Sequence, residues 1–279
     1  MPTIRKPREL TSDELVLSHF TLGRHHDIKN RLDAAAAADC RAIGIYIRDY
    51  QRLEAEGVAP DQLSEMLDER DLCLAEIEAL RGWAPPEGSL TDDYHDQETA
   101  AFRIADAFEC RYVQAIGPVA EDPTVAAAGF AALCDRAAEH GLVVGLEFLP
   151  FTNVITACDA LAIVDAADRP NGGVCVDIWH HTRGANDLDL IRSIPGDRVM
   201  GIQLSDGPLE PTLDSYYEDC LRTRVAPGDG AMDVAGFLEA VRSTGTSVPL
   251  SLEVCNDDTW DRDATDFVVA AATGLRAFL

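Results

Sequence analysis

Lysine is nearly missing from this chain of 279 residues: it occurs only at Lys6 and Lys29, against 21 arginines. Positive charge is scarce altogether, with 23 basic side chains facing 49 acidic ones for a formal charge of −26. That balance opposes nucleic-acid binding, whose affinity rests on cationic contacts to phosphate, and adsorption to anionic membrane surfaces. Long apolar runs are absent too, and nothing approaches the ~18 residues of a membrane-spanning helix. No apolar signal segment follows Met1, and no Cys-x-x-Cys pair occurs among the eight cysteines. The expectation is a cytoplasmic protein with reduced, mostly buried thiols. No Ser/Gly/Pro-rich linker divides the chain, so it reads as one domain over 1–279, with 1–12 a loose leader.

What the chain does have is apolar content, 47% of its residues, enough for a sizeable core. Short apolar runs recur at Val16–Thr21, Ala42–Ile47, Leu72–Leu80, Tyr112–Ile116, Val143–Leu149, Val174–Ile178, Val199–Leu204 and Pro249–Val254. Segments with helical apolar spacing alternate with them, among them Asn30–Asp39, Pro60–Glu69, Gln97–Phe108, Thr124–His140, Thr156–Ala167, Val234–Ser243 and Thr265–Leu279. Strands alternating with helices imply a parallel sheet. Eight such units in roughly 250 residues predict a single (β/α)8 TIM barrel, with a doubly wound open sheet as the competitor. Two long loops, at Trp83–His95 and Asp206–Gly230, are candidates for function.

The last four strands share one oddity: each is apolar with a lone polar residue near its C-terminal end. These are Glu147, Asp177, Gln203 and Glu253, each flanked by apolar residues and each two positions after a small residue (Gly145, Cys175, Gly201, Ser251). Strand side chains alternate faces, so if the apolar neighbours point to the covering helices, the polar four point into the barrel. They would meet at its C-terminal mouth, where barrel active sites sit. An ion pair with an arginine explains one such carboxylate well, but four polar residues in register on successive strands ask for a bound cation. Oxygen donors suit Mg²⁺ or Mn²⁺ first, and Co²⁺ or Zn²⁺ as alternatives.

His180, three residues after Asp177, is placed to fold over the same mouth; His19 near the end of strand one is a weaker candidate. Glu76 and Glu78 share the inner face of strand three, while Gln114 and Tyr46 reach from strands four and two. All four are equally readable as barrel filling. Arg224, in Arg-Val-Ala-Pro-Gly-Asp-Gly, is a candidate for an anionic or polyhydroxylated ligand, although spacing alone makes it a surface arginine.

Gly-Leu-Glu (145–147), Asp-x-x-His (177–180), Gln-x-x-Asp (203–206), Arg-x-x-Pro-Gly-Asp-Gly (224–230) and Leu-Glu (252–253) together resemble the xylose isomerase-like barrel superfamily, the sugar isomerase/epimerase group. The resemblance runs from strand one to strand eight. It implies Glu147, Asp177, Gln203 and Glu253 as ligands of one divalent ion, and Glu147 and Glu253 as the proton-transfer pair. It also implies that His180 and Arg224 contact substrate, with His19 and Glu78 as further substrate-binding candidates. Many epimerases of this group carry His where this chain has Gln203; glutamine there resembles the 3-dehydroshikimate dehydratase branch. The histidine set of the endonuclease IV branch is missing.

The expected chemistry is enolisation of a small polyhydroxylated keto substrate. It ends in isomerisation or epimerisation, or in β-elimination of water if a hydroxyl is suitably placed. Alternatives are a 3-dehydroshikimate or inosose dehydratase-type lyase, a C-glycoside-cleaving subunit of a hetero-oligomer, and a non-catalytic metabolite-binding barrel. A homo-oligomer is also compatible with the sequence.

Overall fold

A computed structural model describes residues 10–86, 89–257 and 261–279. The eight strands are β1 (Leu15–Leu17), β2 (Ala42–Tyr46), β3 (Cys73–Leu80), β4 (Tyr112–Ile116), β5 (Val143–Glu147), β6 (Gly172–Asp177), β7 (Val199–Leu204) and β8 (Leu250–Leu252). All neighbouring pairs are parallel and β8 returns to β1, so the sheet closes in the order of the chain. The eight expected strands are thus present and the open sheet is excluded. The leader falls almost wholly outside the described residues.

The helices are α1 (Ile28–Ala37), α2 (Ile47–Ala55), α3 (Pro60–Asp68), α4 (Asp92–Phe108), α5 (Pro123–Ala138), α6 (Ala157–Ala167), α7 (Ile178–Arg183), α8 (Leu188–Arg192), α9 (Tyr216–Arg222), α10 (Val234–Ser243) and α11 (Ala264–Arg276). Their starts are written in the sequence. Asp27, Thr91, Thr156, Asp233 and Asp263 each turn a side-chain oxygen onto a free N–H of the first turn. Pro60 and Pro123 occupy first-turn positions where no N–H is needed. α2 follows β2 with no loop between, and buries Ile47, Tyr50 and Leu53 at helical spacing. Its first residue reads as the last of the strand, which hid the switch from period 2 to period 3.6.

The main core lies between sheet and helices, where the outward residues of the strands (Ile45, Ile77, Val113, Leu146, Val176, Ile202 and Leu252) are at most 2% exposed. No described helix is long and apolar enough to cross a membrane. All eight cysteines are free. Burial pushes the thiols of Cys40, Cys110, Cys134 and Cys220 up to about 12, so they behave as small apolar groups.

The barrel interior is polar. Register pairs Glu78 with Tyr46, Ile116 with Glu147 and Asp177 with Gln203, so these side chains share the inner face. Gly44 faces Glu78 across the strand pair, and a Cβ there would overlap the Glu78 carboxylate. The room left by Gly145 and Gly201 is filled by the ring of Tyr112 from β4.

Candidate active site

Glu147 ends β5, Asp177 ends β6, Gln203 lies one residue before the end of β7 and Glu253 follows β8 directly. All four are buried, between 0% and 4% exposed, and all sit at the C-terminal mouth. One ligand atom each from Glu147, Asp177 and His180 lie within 4.8 Å of one another. Asp177 caps α7, its Oδ1 accepting the His180 N–H at 2.7 Å. That single contact explains the Asp-x-x-His spacing, because the cap turns the imidazole back over the strand end.

Arg224 is not at the surface; it is 1% exposed and lies among the carboxylates. Its Nη1 donates to Asp177 Oδ2 at 2.8 Å and to Glu253 Oε2 at 3.0 Å. Its Nη2 donates to His180 Nε2 at 3.2 Å. The loop motifs deliver it there. Asp206 Oδ1 accepts from the N–H groups of Gly207 and Met232, and Oδ2 from those of Gly228 and Gly230. An antiparallel bridge between Asp206 and Val225 adds two backbone bonds. A Cβ at Gly230 would overlap Asp206, which accounts for Pro-Gly-Asp-Gly. The 206–230 loop also contains α9, fixed by buried Asp219, which pairs with Arg183 at 2.9 Å.

A second network fixes the orientation of the carboxamides. The N–H of Ala79, at φ +68°, donates to Gln114 Oε1 at 3.2 Å. Gln114 Nε2 donates in turn to Glu147 Oε2 at 3.0 Å and Gln203 Oε1 at 3.2 Å. Gln203 Nε2 then donates to Glu253 Oε1 at 2.8 Å, and the Cys175 thiol donates to Gln203 Oε1 at 3.3 Å. A backbone N–H can only donate, so polarity propagates from Ala79 to Glu253. The Gln203 oxygen is therefore occupied by two donors, and the groups whose donor atoms converge are Glu147, Asp177 and His180.

Electrostatics follow from the crowding. Burial raises the Glu147 carboxyl well above the usual range, with Glu253 and Asp177 adding to it. Burial likewise lifts Glu253 to about 8. Burial works against ionising Asp177 as well, but the Arg224 guanidinium and the His180 ring and N–H together outweigh it, and the carboxyl ends below its ordinary value. Burial lowers His180 to about 3, so its imidazole is neutral. Arginine cannot accept, so Nε2 takes the Arg224 bond as a lone pair and the proton sits on Nδ1, an atom with no hydrogen-bond partner among the described residues.

Glu78 and His19 are at the mouth but are already engaged. Glu78 accepts from Ser18 Oγ at 2.8 Å and from the His19 N–H at 2.7 Å. His19 Nε2 pairs with Asp49 at 2.5 Å. Neither offers a free polar atom on that edge to a substrate, apart from His19 Nδ1, which is buried without a partner. Glu76 sits a layer lower and accepts from Ser251. His181 is buried, 2% exposed. Ser18, which also reaches Glu253 Oε1 at 3.2 Å, was not legible beforehand, since a serine before a histidine carries no distinguishing pattern. Phe151, edge-on to His180 at 5.8 Å between ring centres, was missed for the same reason. A cavity of about 1000 Å³ opens at the opposite, N-terminal end of the barrel, lined by Ala75, Glu76, Arg111, Tyr112 and Met200. It lacks the convergent carboxylates and the imidazole of the mouth.

Three buried carboxylates face one guanidinium, so the donor set is short of positive charge. Hard oxygen donors with an imidazole beside them fit a divalent ion such as Mg²⁺, Mn²⁺, Co²⁺ or Zn²⁺.

A family model described as "Xylose isomerase-like TIM barrel" matches residues 32–273. The 3-dehydroshikimate dehydratase of Pseudomonas putida KT2440 is 30% identical over 262 residues, which is 90% of this chain and 39% of that protein. The inosose isomerase of Bacillus subtilis 168 is 29% identical over 142 residues, 50% of this chain and 49% of its own length. The chain therefore spans less than half the length of either relative. A solved fusion of a xylose isomerase-like TIM barrel with a 4-hydroxyphenylpyruvate dioxygenase superposes with a TM-score of 0.82 at 26% identity, over 95% of this chain and 42% of that one. A zinc-bound IOLI protein superposes equally well, with a TM-score of 0.82 at 20% identity, which speaks to the fold alone.

Proposed function

The chain belongs to the xylose isomerase-like TIM barrel family, and within it we propose that this chain dehydrates a cyclic hydroxy-ketone of the 3-dehydroshikimate type. The observation that carries the reading is the convergence of Glu147, Asp177 and His180 at the mouth. The 30% identity over nine tenths of the chain to a 3-dehydroshikimate dehydratase supports the choice of substrate.

Glu147, Asp177 and Glu253 are the carboxylates that would hold a divalent ion, and Gln203, whose oxygen is taken up by Gln114 and Cys175, orients Glu253 through its Nε2. Such an ion, when bound, supplies Lewis acidity at a ketone oxygen. The chain's own residues do the rest. His180 Nε2 carries a lone pair because burial keeps the imidazole neutral. With Arg224 Nη2 turned from it onto the substrate oxygens, it takes the proton α to the ketone; burial and Arg224 oppose the imidazolium so formed, and the neighbouring Asp177 carboxylate favours it. The electron pair of the broken C–H bond forms the new double bond and expels the β-hydroxyl. That hydroxyl takes the proton from Nε2 and leaves as water. The dienone from 3-dehydroshikimate then tautomerises to 3,4-dihydroxybenzoate. Arg224 Nη2, already 3.2 Å from Nε2, is placed to hold the substrate oxygens in line. Acid–base assistance of this kind is worth about 10²–10⁴-fold.

The test is conversion of 3-dehydroshikimate, followed by the absorbance of the aromatic product, with Mn²⁺, Mg²⁺ or Co²⁺ supplied. His180→Ala and Glu253→Gln should each lose at least about 10²-fold in kcat. A protein that binds no divalent ion, or a His180→Ala variant with full turnover, overturns the reading. A second reading, isomerisation of an inosose with Glu147 and Glu253 as the proton-transfer pair, is favoured by the match to inosose isomerases. It predicts ring-proton exchange with deuterated water and no aromatic product.

A further inference from the structure

The mouth is divided. Its polar half comes from β5 to β8 and the loop carrying Arg224. The other half carries, beside the engaged Glu78 and His19, an apolar patch separate from the main core. There Ala79, Ile116 and Leu149 form a small cluster of their own, 2–6% exposed, against which half-buried Phe20, Tyr46 and Phe151 pack. Ile116 pairs in register with Glu147, and Tyr46 with Glu78, so both side chains belong to the inner face. Phe20 and Tyr46 lie 5.2 Å apart between ring centres. Phe151 lies 5.8 Å from His180 and 5.6 Å from Tyr217. A molecule whose carbonyl edge reaches the carboxylates therefore lays its opposite edge along three aromatic rings.

We propose that the wall of Phe20, Tyr46 and Phe151 is the specificity determinant of this site, selecting a flat, partly deoxygenated six-membered carbocycle over a fully hydroxylated ring. The inference rests on the reading of the site as an enolising dehydratase. Of the six side chains in that patch, only Tyr46 carries a polar atom. The His19 ring, 5.9 Å from Phe20 and 6.1 Å from Tyr46, adds one unclaimed atom, Nδ1; a ring with a hydroxyl on each remaining carbon would set hydroxyls against the Phe20 and Phe151 faces, which offer no partner. Each such hydroxyl costs about 10- to 100-fold in binding. A ring that presents a methylene and a double bond to the wall avoids that cost and gains aromatic contact.

The experiment compares kcat/KM for 3-dehydroshikimate and for an inosose in the wild-type protein, Phe151→Asn and Phe151→Leu. The wild type should prefer 3-dehydroshikimate by at least about 100-fold. Phe151→Asn, which offers a partner to a hydroxyl, should narrow that ratio by about 10-fold or more, through KM rather than kcat; Phe151→Leu, still apolar, should hold it within about threefold. An unchanged ratio in Phe151→Asn, or a wild type with equal ratios, overturns the proposal while leaving the enolising reading intact. If neither ketone turns over, that reading fails, and the wall is judged by calorimetric titration with chelator present. There, 3,4-dihydroxybenzoate should bind at least about 10-fold tighter than myo-inositol, with the preference lost in Phe151→Asn. Binding of neither compound, or no preference between them, overturns it.

Discussion

Gln114 Nε2 donates to Glu147 Oε2 at 3.0 Å, and the direction of that bond is set by the backbone two strands away. The Ala79 N–H claims Gln114 Oε1, which leaves only the amide hydrogens for Glu147 and Gln203. Ala79 reaches this position through a left-handed φ of +68°, an uncommon conformation for a residue with a Cβ. Gln114 thus positions the carboxylates without being one. Gln114→Leu removes the donor to both and leaves the Ala79 N–H buried without its partner. Steady-state kinetics should show kcat falling about 10- to 100-fold with KM nearly unchanged. A variant with normal kcat would mean that Gln114 only fills the barrel.

Arg224 and a divalent ion draw on the same carboxylates. The guanidinium spans Asp177 and Glu253, and it is 1% exposed. Arg224→Met leaves two buried carboxylates without a counter-charge, which should destabilise the ion-free protein by about 3–5 kcal/mol. Mn²⁺ should then raise the melting temperature of the variant more than that of the wild type, since the ion replaces charge that the wild type supplies itself. Thermal melts with chelator and with added Mn²⁺ check both. An equal rise in the two proteins would mean that the ion does not use Asp177 and Glu253.

Much of this was legible beforehand, and for a physical reason. A carboxylate on an apolar strand is a costly placement, so Glu147, Asp177 and Glu253 stand out from a chain that carries 49 acidic residues. Strand alternation then puts them on one face with no knowledge of the fold. Arg224 was a candidate, but its burial was not legible because nothing in its own segment requires it; the four N–H groups gathered by Asp206, 18 positions upstream, turn it inward. The aromatic wall escaped similarly. Phe20, Tyr46 and Phe151 come from three separate strand ends and meet only when the barrel closes. α9 was hidden inside a loop whose Pro, Gly and Asp content reads as irregular, yet Ser215 caps it.

The buried ionisable groups also set how stability depends on pH. Burial raises Glu76 from 4.5 to about 8. A folded value above the unfolded one means that its contribution is complete below about pH 4.5 and is lost as the pH rises through 8. His19 works the other way: burial lowers it from 6.5 to about 4, so its contribution is complete above 6.5 and is lost as the pH falls through about 4. The wild type should therefore be most stable on the acid side of neutrality. Glu76→Gln keeps an acceptor for Ser251 and removes the titration. Urea midpoints should show the variant ahead of the wild type at about pH 9, by an amount on the order of a few kcal/mol, and level with it at about pH 5. A constant offset at both values would trace the difference to packing.

Gly201 is small because of Tyr112, and that link is open to a steric test. A Cβ at Gly201 would overlap the Tyr112 hydroxyl, lie 2.8 Å from its Cζ and meet the Cys175 sulfur at 3.1 Å. The same ring also needs Gly145, where an added Cβ would stand 2.7 Å from its Cε2. Gly201→Ala should therefore cost about 1–3 kcal/mol. The damage should not stop at stability. Gly201 lies two residues before Gln203 on the inner face, and Cys175 holds Gln203 Oε1. A ring pushed upward disturbs the carboxamide, and through it Glu253. Chemical denaturation should register the first effect and Mn²⁺ titration the second, as weaker binding. Truncating the ring in Tyr112→Leu/Gly201→Ala should recover affinity before it recovers stability, because it relieves the push but leaves a cavity. If the double variant recovers neither, Tyr112 is not what fixes the glycine.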